Sequence, residues 1–481
     1  MADDSKKYRP LKGGIQGQVE SLSSASGTIG CLAETNRPGE PRRIVLLSVA
    51  HLFYAGRGVT ALGPITQPGD RACQPDACSK CSRCCSDDVG RALRGEFSAS
   101  VDAAIATLYA GTRYLREIEE IGPIRGDHVI TEAEAHSRTR RFRVRKRGIR
   151  TRLTEGEVRL LDFAARTRGL DDSFRRVATQ LILIQPRTLV QAPITAIQAN
   201  GVIRVATAQF QTLGVNENHV IEITGPTRNR NLYRVNAVQS QTEIVASDPL
   251  NEGHPATLIA ETQPVFTPLS RFVFLLNGPN GFEAPGIGAN NQGLQPFDMV
   301  EIRNSPSNDG IYQVQPLNGS AILQDGIAVY EKLSEELNNG AEARGVLFIR
   351  VREPQFCDAA DSGAAIVNDA SEVVGLLAGK AEDARRPDLR GYGFATPIRQ
   401  ITTNLDISCS WRSARTSMGV GSGMILWKQL RTRLIERSAG QLNLAFYGQL
   451  RTRSFCLPSS AVLPATRLRQ SQPTWPCNRR R

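Results

Sequence analysis

The chain reads as a mainly β protein. Short apolar runs separated by Gly, Pro and Asn recur along its 481 residues, which is the punctuation of strands and turns rather than of long helices. A two-copy repeat in the middle of the chain alternates apolar and polar residues with the two-residue period of a strand. Apolar residues make up 40% and charged residues 22%, the composition of an ordinary globular protein with room for two or three domains.

In chain order, 27–33 and 43–49 read as strands joined by the turn cluster Asn36-Arg37-Pro38-Gly39-Glu40. Residues 61–100 read as a loop carrying a cysteine run, and a strand follows around Asp102. Arg141–Lys146 and Glu157–Phe163 read as a strand pair, 170–178 as helix-like, and Gln180–Ile184 as an apolar strand. Asn218–Val235 then matches Phe297–Val314 with a constant offset of 79 residues. Glu222/Glu301, Ile223/Ile302, Asn229/Asn308, Tyr233/Tyr312 and Val235/Val314 are identical pairs, and each copy has the pattern of an antiparallel hairpin. Asn231 and Gly310 occupy corresponding turn positions. Residues 186–343 therefore read as an inserted all-β module.

The net charge of +12 is confined to one end. From Ser410 onward lie thirteen of the 59 Lys/Arg but one of the 47 acidic residues, so everything before it is neutral. Trp411, Trp427 and Trp475, all the tryptophans, are there too. A basic tail of this kind can bind anionic surfaces, nucleic acid included, or can be a poorly ordered extension; the neutral body gives no nucleic-acid signal. No run reaches the ~18 apolar residues of a membrane span, and the N-terminus lacks a secretory apolar core, so a cytoplasmic location is expected.

Cys73, Cys78, Cys81, Cys84 and Cys85 fall within 13 residues. Thiolates three apart converge on one soft ion, so Cys73, Cys78, Cys81 and Cys84 are candidate ligands of a structural zinc. An iron–sulfur cluster has similar demands with a different usual spacing, and a thiol-rich loop without metal is the alternative. Disulfides are disfavoured by the missing leader.

Three segments carry catalytic residue types. Val49-Ala50-His51 closes an apolar strand, Val101-Asp102-Ala103-Ala104-Ile105 holds a carboxylate in an apolar stretch, and Asp361-Ser362-Gly363 forms a turn between apolar runs. A serine hydroxyl attacks well only when a base takes its proton, and the imidazole needs a carboxylate to set its tautomer. Together with Gly27-Thr28-Ile29-Gly30-Cys31, Val373–Gly379 and Phe394-Ala395-Thr396-Pro397, these segments resemble the trypsin-like serine peptidases of the bacterial, disulfide-free type. The strand pair 144–158 resembles the opening of that family's second barrel.

The resemblance covers 25–184 and 344–405 and implies a chymotrypsin-like double β-barrel. It implies His51 as general base, Asp102 as its orienting acid and Ser362 as nucleophile, with the amides of Ala360 and Ser362 forming the oxyanion hole. Substrate would meet Phe356, Ala378 and Gly379. The order His, Asp, Ser is the family's. The Asp102–Ser362 interval exceeds the family's roughly 90 residues by about the length of the insertion. One departure is Ala360, where the family has Gly. The expected organisation is an N-terminal segment 1–24, a peptidase domain 25–185 and 344–408, the module 186–343 and a basic tail 409–481. The expected function is a serine endopeptidase acting on protein or peptide, with no cofactor required for catalysis. The alternative is an inactive peptidase-fold scaffold whose β-repeat module binds a partner.

Overall fold

The computed structural model describes residues 6–19, 26–54, 62–67, 69–75, 87–135, 141–168, 175–250, 258–264, 267–268, 281–283, 294–295, 298–305, 307–315, 322–323, 326–329, 333, 340–381 and 389–410. The chain divides into Met1–Arg412 and Ser413–Arg481; the second unit, and with it almost all of the tail, lies outside the described residues. The protein is mainly β, with curled sheets. No helix among the described residues is long and apolar enough to cross a membrane.

The first sheet contains β1 (Ile15–Val19), β2 (Ser26–Ile29), β3 (Cys31–Thr35), β4 (Ile44–Ser48), β5 (Arg71–Cys73), β6 (Asp88–Phe97) and β7 (Asp102–Leu108). Their order is β2-β1-β5-β6-β7-β4-β3, with Ile407–Ser408 beyond β3. The end strands β2 and β3 are two halves of one segment broken at Gly30, so the sheet curls round onto itself. Gly30 is needed at the corner: an added Cβ would lie 2.4 Å from the Gly363 carbonyl oxygen. Apolar residues such as Ile29, Leu46, Leu47, Ile105 and Phe97 are buried at 0–1% exposure, on both faces of the sheet. Strands at Gly63–Ile65, β5 and β6 correct the expectation of a loop over 61–100. They are held by ladder pairing to neighbouring strands, which local composition does not reveal.

A second sheet begins with β8 (Arg143–Gly148), β9 (Arg152–Arg168) and β10 (Arg175–Pro186). The chain then leaves it for the inserted segment. There β11 (Thr188–Pro193), β12 (Val220–Thr224), β13 (Asn231–Val238), β14 (Glu243–Pro249), β15 (Met299–Arg303), β16 (Gly310–Gln313), β17 (Glu342–Val346) and β18 (Phe348–Arg352) form two further sheets. It returns as β19 (Ala365–Asn368), β20 (Glu372–Lys380) and β21 (Gly393–Pro397), followed by the helix Ile398–Leu405. Because β20 pairs with both β19 and β21, the path β20-β19-β8-β9-β10-β21 closes a ring of six strands. The described part of 170–178 is the start of β10, not helix; its side of the ladder pairs Arg168 with Arg175 and Thr167 with Arg176, and this pairing overrides the local helical composition.

The repeat holds down to individual bonds. β12 pairs with β13 as Val220↔Arg234 and Ile221↔Tyr233, and β15 pairs with β16 as Met299↔Gln313 and Val300↔Tyr312, the same register shifted by 79. Tyr233 donates its hydroxyl to the Asn229 carbonyl at 3.0 Å, and Tyr312 to that of Asn308 at 2.7 Å. Each first strand gains a second neighbour that brings an arginine opposite its glutamate: Arg350 to Glu222 at 2.9 Å, Arg344 to Glu301 at 2.6 Å. The two partners, β18 and β17, are consecutive in the chain. One segment thus serves both copies and then runs on toward Ser362.

Removing either tyrosine hydroxyl takes away a donor to a carbonyl within its own hairpin. Tyr233→Phe and Tyr312→Phe are expected to cost about 1 kcal/mol each, and to add in the double variant because the hairpins lie in separate sheets. Urea unfolding curves of the three variants check this.

Candidate active site

His51 lies in a one-turn helix, Ala50–Phe53, at the end of β4; Asp102 is the first residue of β7, and β7 pairs with β4. This adjacency brings the two side chains together. His51 Nδ1 is 2.7 Å from Asp102 Oδ2, and the amides of Ala50 and His51 donate to Asp102 Oδ1 at 2.9 and 3.3 Å. With its proton on Nδ1 the imidazole donates to the carboxylate and leaves Nε2 as the acceptor. Burial alone would push the Asp102 carboxyl up. The charge on His51, the His51 hydrogen bonds and Arg176 outweigh it and hold the group below the ordinary carboxylate value.

Ser362 comes from the other sheet system, between β18 and β19, and meets the first sheet through backbone. Its carbonyl accepts from Thr28 N at 2.9 Å. A Cβ on Gly27 would touch both the Leu52 side chain, at 3.1 Å, and the Ser362 carbonyl oxygen, at 3.3 Å, so the residue after His51 and the backbone of Ser362 flank one glycine. Gly363 is required in full. Its φ is +92°, and a Cβ there would lie 2.2 Å from the Thr28 carbonyl oxygen and 2.3 Å from Ser48 Oγ.

The turn itself is anchored by Asp361, which is fully buried. Its carboxylate accepts from the amides of Asp358 (2.9 Å), Arg150 (2.8 Å) and Thr151 (3.2 Å), from Thr151 Oγ1 (2.6 Å) and from Lys146 Nζ (2.9 Å). Lys146 also donates to Thr151 Oγ1. The hairpin β8–β9 thus reaches over to hold the residue before Ser362. Burial pushes the Asp361 carboxyl up, but the Lys146 charge and these hydrogen bonds leave it below its ordinary value. Lys146 and Thr151, which fix the Ser362 turn through Asp361, were not singled out from the sequence; a lysine in an apolar-polar strand carries no mark that it points inward.

The oxyanion side has a specific geometry. Ala359–Asp361 is a 3₁₀ turn closed by Asp361 N to Asp358 O at 3.0 Å. The Ser362 hydroxyl donates to the Ala359 carbonyl at 3.3 Å and lies 3.5 Å from that of Ala378. In a trans peptide the carbonyl and the following N–H point opposite ways, so the Ala360 N–H is directed away from Ser362 Oγ. Rotating that peptide would convert the turn to one needing positive φ at Ala360, which favours Gly; Ala360 is not among the positive-φ residues. The Ser362 amide makes no hydrogen bond to any described residue outside this turn.

Of the expected substrate contacts, Ala378 lies beside Ser362 on β20, while the carbonyl of Gly379, next along the strand, faces the Cys357 thiol at 3.8 Å. Phe356 is fully buried with its ring against Lys146 Nζ at 5.7 Å and its carbonyl held by Thr154, so it packs in the core of the second sheet. Cys357 beside it has its thiol pushed up to about 12 by burial. Of the candidate zinc ligands, Cys78, Cys81 and Cys84 lie outside the described residues. Cys73 Sγ is 3.2 Å from Asp88 Oδ1, and no metal-holding group of His, Cys, Asp or Glu occurs among the described residues. Cys409 contacts Cys31; that hydrogen bond, and then burial, push its thiol well up.

No protein-family model matches the chain, and no curated protein matches it significantly.

Lys146→Met would strand a buried carboxylate and is expected to destabilise by about 3–5 kcal/mol at neutral pH. Asp361 sits below its ordinary value, so the stability it contributes is present at neutral pH and lost as pH falls through that lowered value. The gap between Lys146→Met and the parent should therefore narrow in acid, when the stranded carboxylate can take up a proton. Unfolding curves at neutral and acid pH measure it.

Proposed function

We propose that the protein is a serine peptidase of the chymotrypsin-like double β-barrel class, the two curled sheets being the barrels and their contact the cleft. The observation that carries this reading is the His51–Asp102 bond at 2.7 Å, with the second carboxylate oxygen closed off by two amides. A carboxylate so fully fixed has a strong orienting effect on one imidazole tautomer.

In the reaction, Ser362 Oγ forms a bond to the carbonyl carbon of a peptide while its proton passes to His51 Nε2. The carbonyl electrons move onto oxygen, for which the Ser362 amide is the donor in this reading. Return of those electrons expels the amine, which takes the proton from His51 and leaves an acyl ester on Ser362. Water then repeats the sequence: its proton goes to His51, the tetrahedral adduct collapses to release the acid, and Ser362 Oγ takes the proton back from His51. Asp102 stays ionised throughout and stabilises the imidazolium.

A second reading is favoured by the Ala359 carbonyl turned toward Ser362: with one oxyanion donor misdirected, the fold serves as a scaffold and the β-repeat module as the binding part. A missing donor typically costs on the order of 10²–10³ in rate.

A fluorophosphonate probe separates them. Labelling at Ser362, abolished by Ser362→Ala and His51→Ala and reduced on the order of 10⁴-fold by Asp102→Asn, is the expected outcome; a folded parent that takes no label supports the scaffold. Ala360→Gly removes the cost of positive φ, about 1–2 kcal/mol, and should speed labelling by roughly tenfold. An unchanged rate would mean that the peptide orientation does not limit the site.

A further inference from the structure

One buried cation at the site is not part of the triad. Arg176, near the start of β10, belongs to the second sheet, yet its guanidinium reaches Asp102 of the first. Its side chain is 1% exposed, and Nη2 is 3.8 Å from Asp102 Oδ2, the same oxygen that accepts the hydrogen bond of the imidazole. The rest of the group is fixed. Nη1 donates to the carbonyls of Ser98 (2.7 Å) and Val101 (3.0 Å), Nε donates to Thr167 Oγ1 (3.0 Å), and the guanidinium carbon stacks 4.3 Å from the centre of the Phe97 ring. Held on three sides, the cation cannot swing toward solvent, so its field acts on Asp102 permanently and, with little water between, strongly.

The other groups around Asp102 are few. His51 is the titratable neighbour on the Ala50–Phe53 helix. Across the ladder Asp102 faces Phe97; Glu96 pairs with Ala103 and so lies on the opposite face, and Arg94 is turned to Glu40 and the Leu405 carbonyl. From β21, Thr396 offers its hydroxyl oxygen to the Asp102 amide at 3.4 Å. His51 and Arg176 are thus the charged groups set against this carboxylate among the described residues.

We propose that Arg176 is a positioning residue for the His51–Asp102 pair, a fixed cation on the shared carboxylate oxygen that keeps the pair free of its extra proton to lower pH and so extends activity into acid. This rests on the peptidase reading of the site. The sign follows from charge alone. A permanent positive charge favours ionised Asp102 and opposes a proton on either partner. Without it the pair takes up its proton at higher pH, whichever residue holds it.

The test compares the parent with Arg176→Gln, which keeps donors for the Ser98 and Val101 carbonyls without charge, and Arg176→Lys, which keeps the charge. Fluorophosphonate labelling is followed from acid to neutral pH. The acid limb is expected to move up by about one unit in Arg176→Gln, roughly tenfold slower labelling on the acid side, with the neutral plateau within about twofold of the parent. Arg176→Lys should restore most of the shift. An acid limb that stays in place, or equal loss at every pH in both variants, overturns the proposal. The second readout needs no activity: the downfield NMR signal of the His51 Nδ1 proton, followed against pH in full-length Ser362→Ala with and without Arg176→Gln. Movement of its transition to higher pH supports the proposal even if the parent takes no label, which would sink only the peptidase reading; an unmoved transition overturns it.

Discussion

A carboxylate with no access to water has to be met by donors on every side, and Asp361 is such a group. Leaving it bare would cost several kcal/mol, so the Asp358–Ser362 turn is obliged to sit where the tip of the β8–β9 hairpin can supply two amides, a hydroxyl and an ammonium. Once that is satisfied, Ser362 has no freedom of position. Its backbone then falls against Thr28, and Gly363 fits a gap that any side chain would overfill. The placement of Ser362 is thus a by-product of solvating one buried charge with protein.

The same logic joins the two sheet systems. Asp102 and His51 come from the first, yet Arg176 and Thr396, from β10 and β21, complete the surroundings of the acid, while Thr28 of the first sheet touches the Ser362 turn of the second. None of these contacts is a large apolar patch. They are polar groups that would be unsatisfied if the sheets moved apart, which makes the relative position of the sheets specific rather than merely favourable. In the inserted segment, the pairs Glu222–Arg350 and Glu301–Arg344 do a comparable thing for two hairpins of common register.

How far this could be read in advance depended on the range of the interaction involved. The repeat was legible because both copies keep the same spacing of apolar residues, turn and tyrosine, and identical spacing produces identical ladders. His51, Asp102 and Ser362 were legible as residue types in strand contexts. Lys146, Thr151 and Arg176 were not, since nothing local marks a lysine or arginine as inward-facing; each is charged at the surface in most strands and is buried here only because a carboxylate from elsewhere awaits it. The strands within 61–100 and the start of β10 were also missed, because their neighbours in the ladder, not their own composition, hold them extended.

Local pattern, then, was sufficient for the β character, for the hairpins and for singling out His51 and Asp102, because alternation and turn chemistry act over a few residues. The direction of the 359–360 peptide, the cation beside Asp102 and the burial of Phe356 depend on groups separated by tens to hundreds of residues. Such contacts come into being only when the sheets curl and close, so they belong to the folded chain and to no stretch of its sequence.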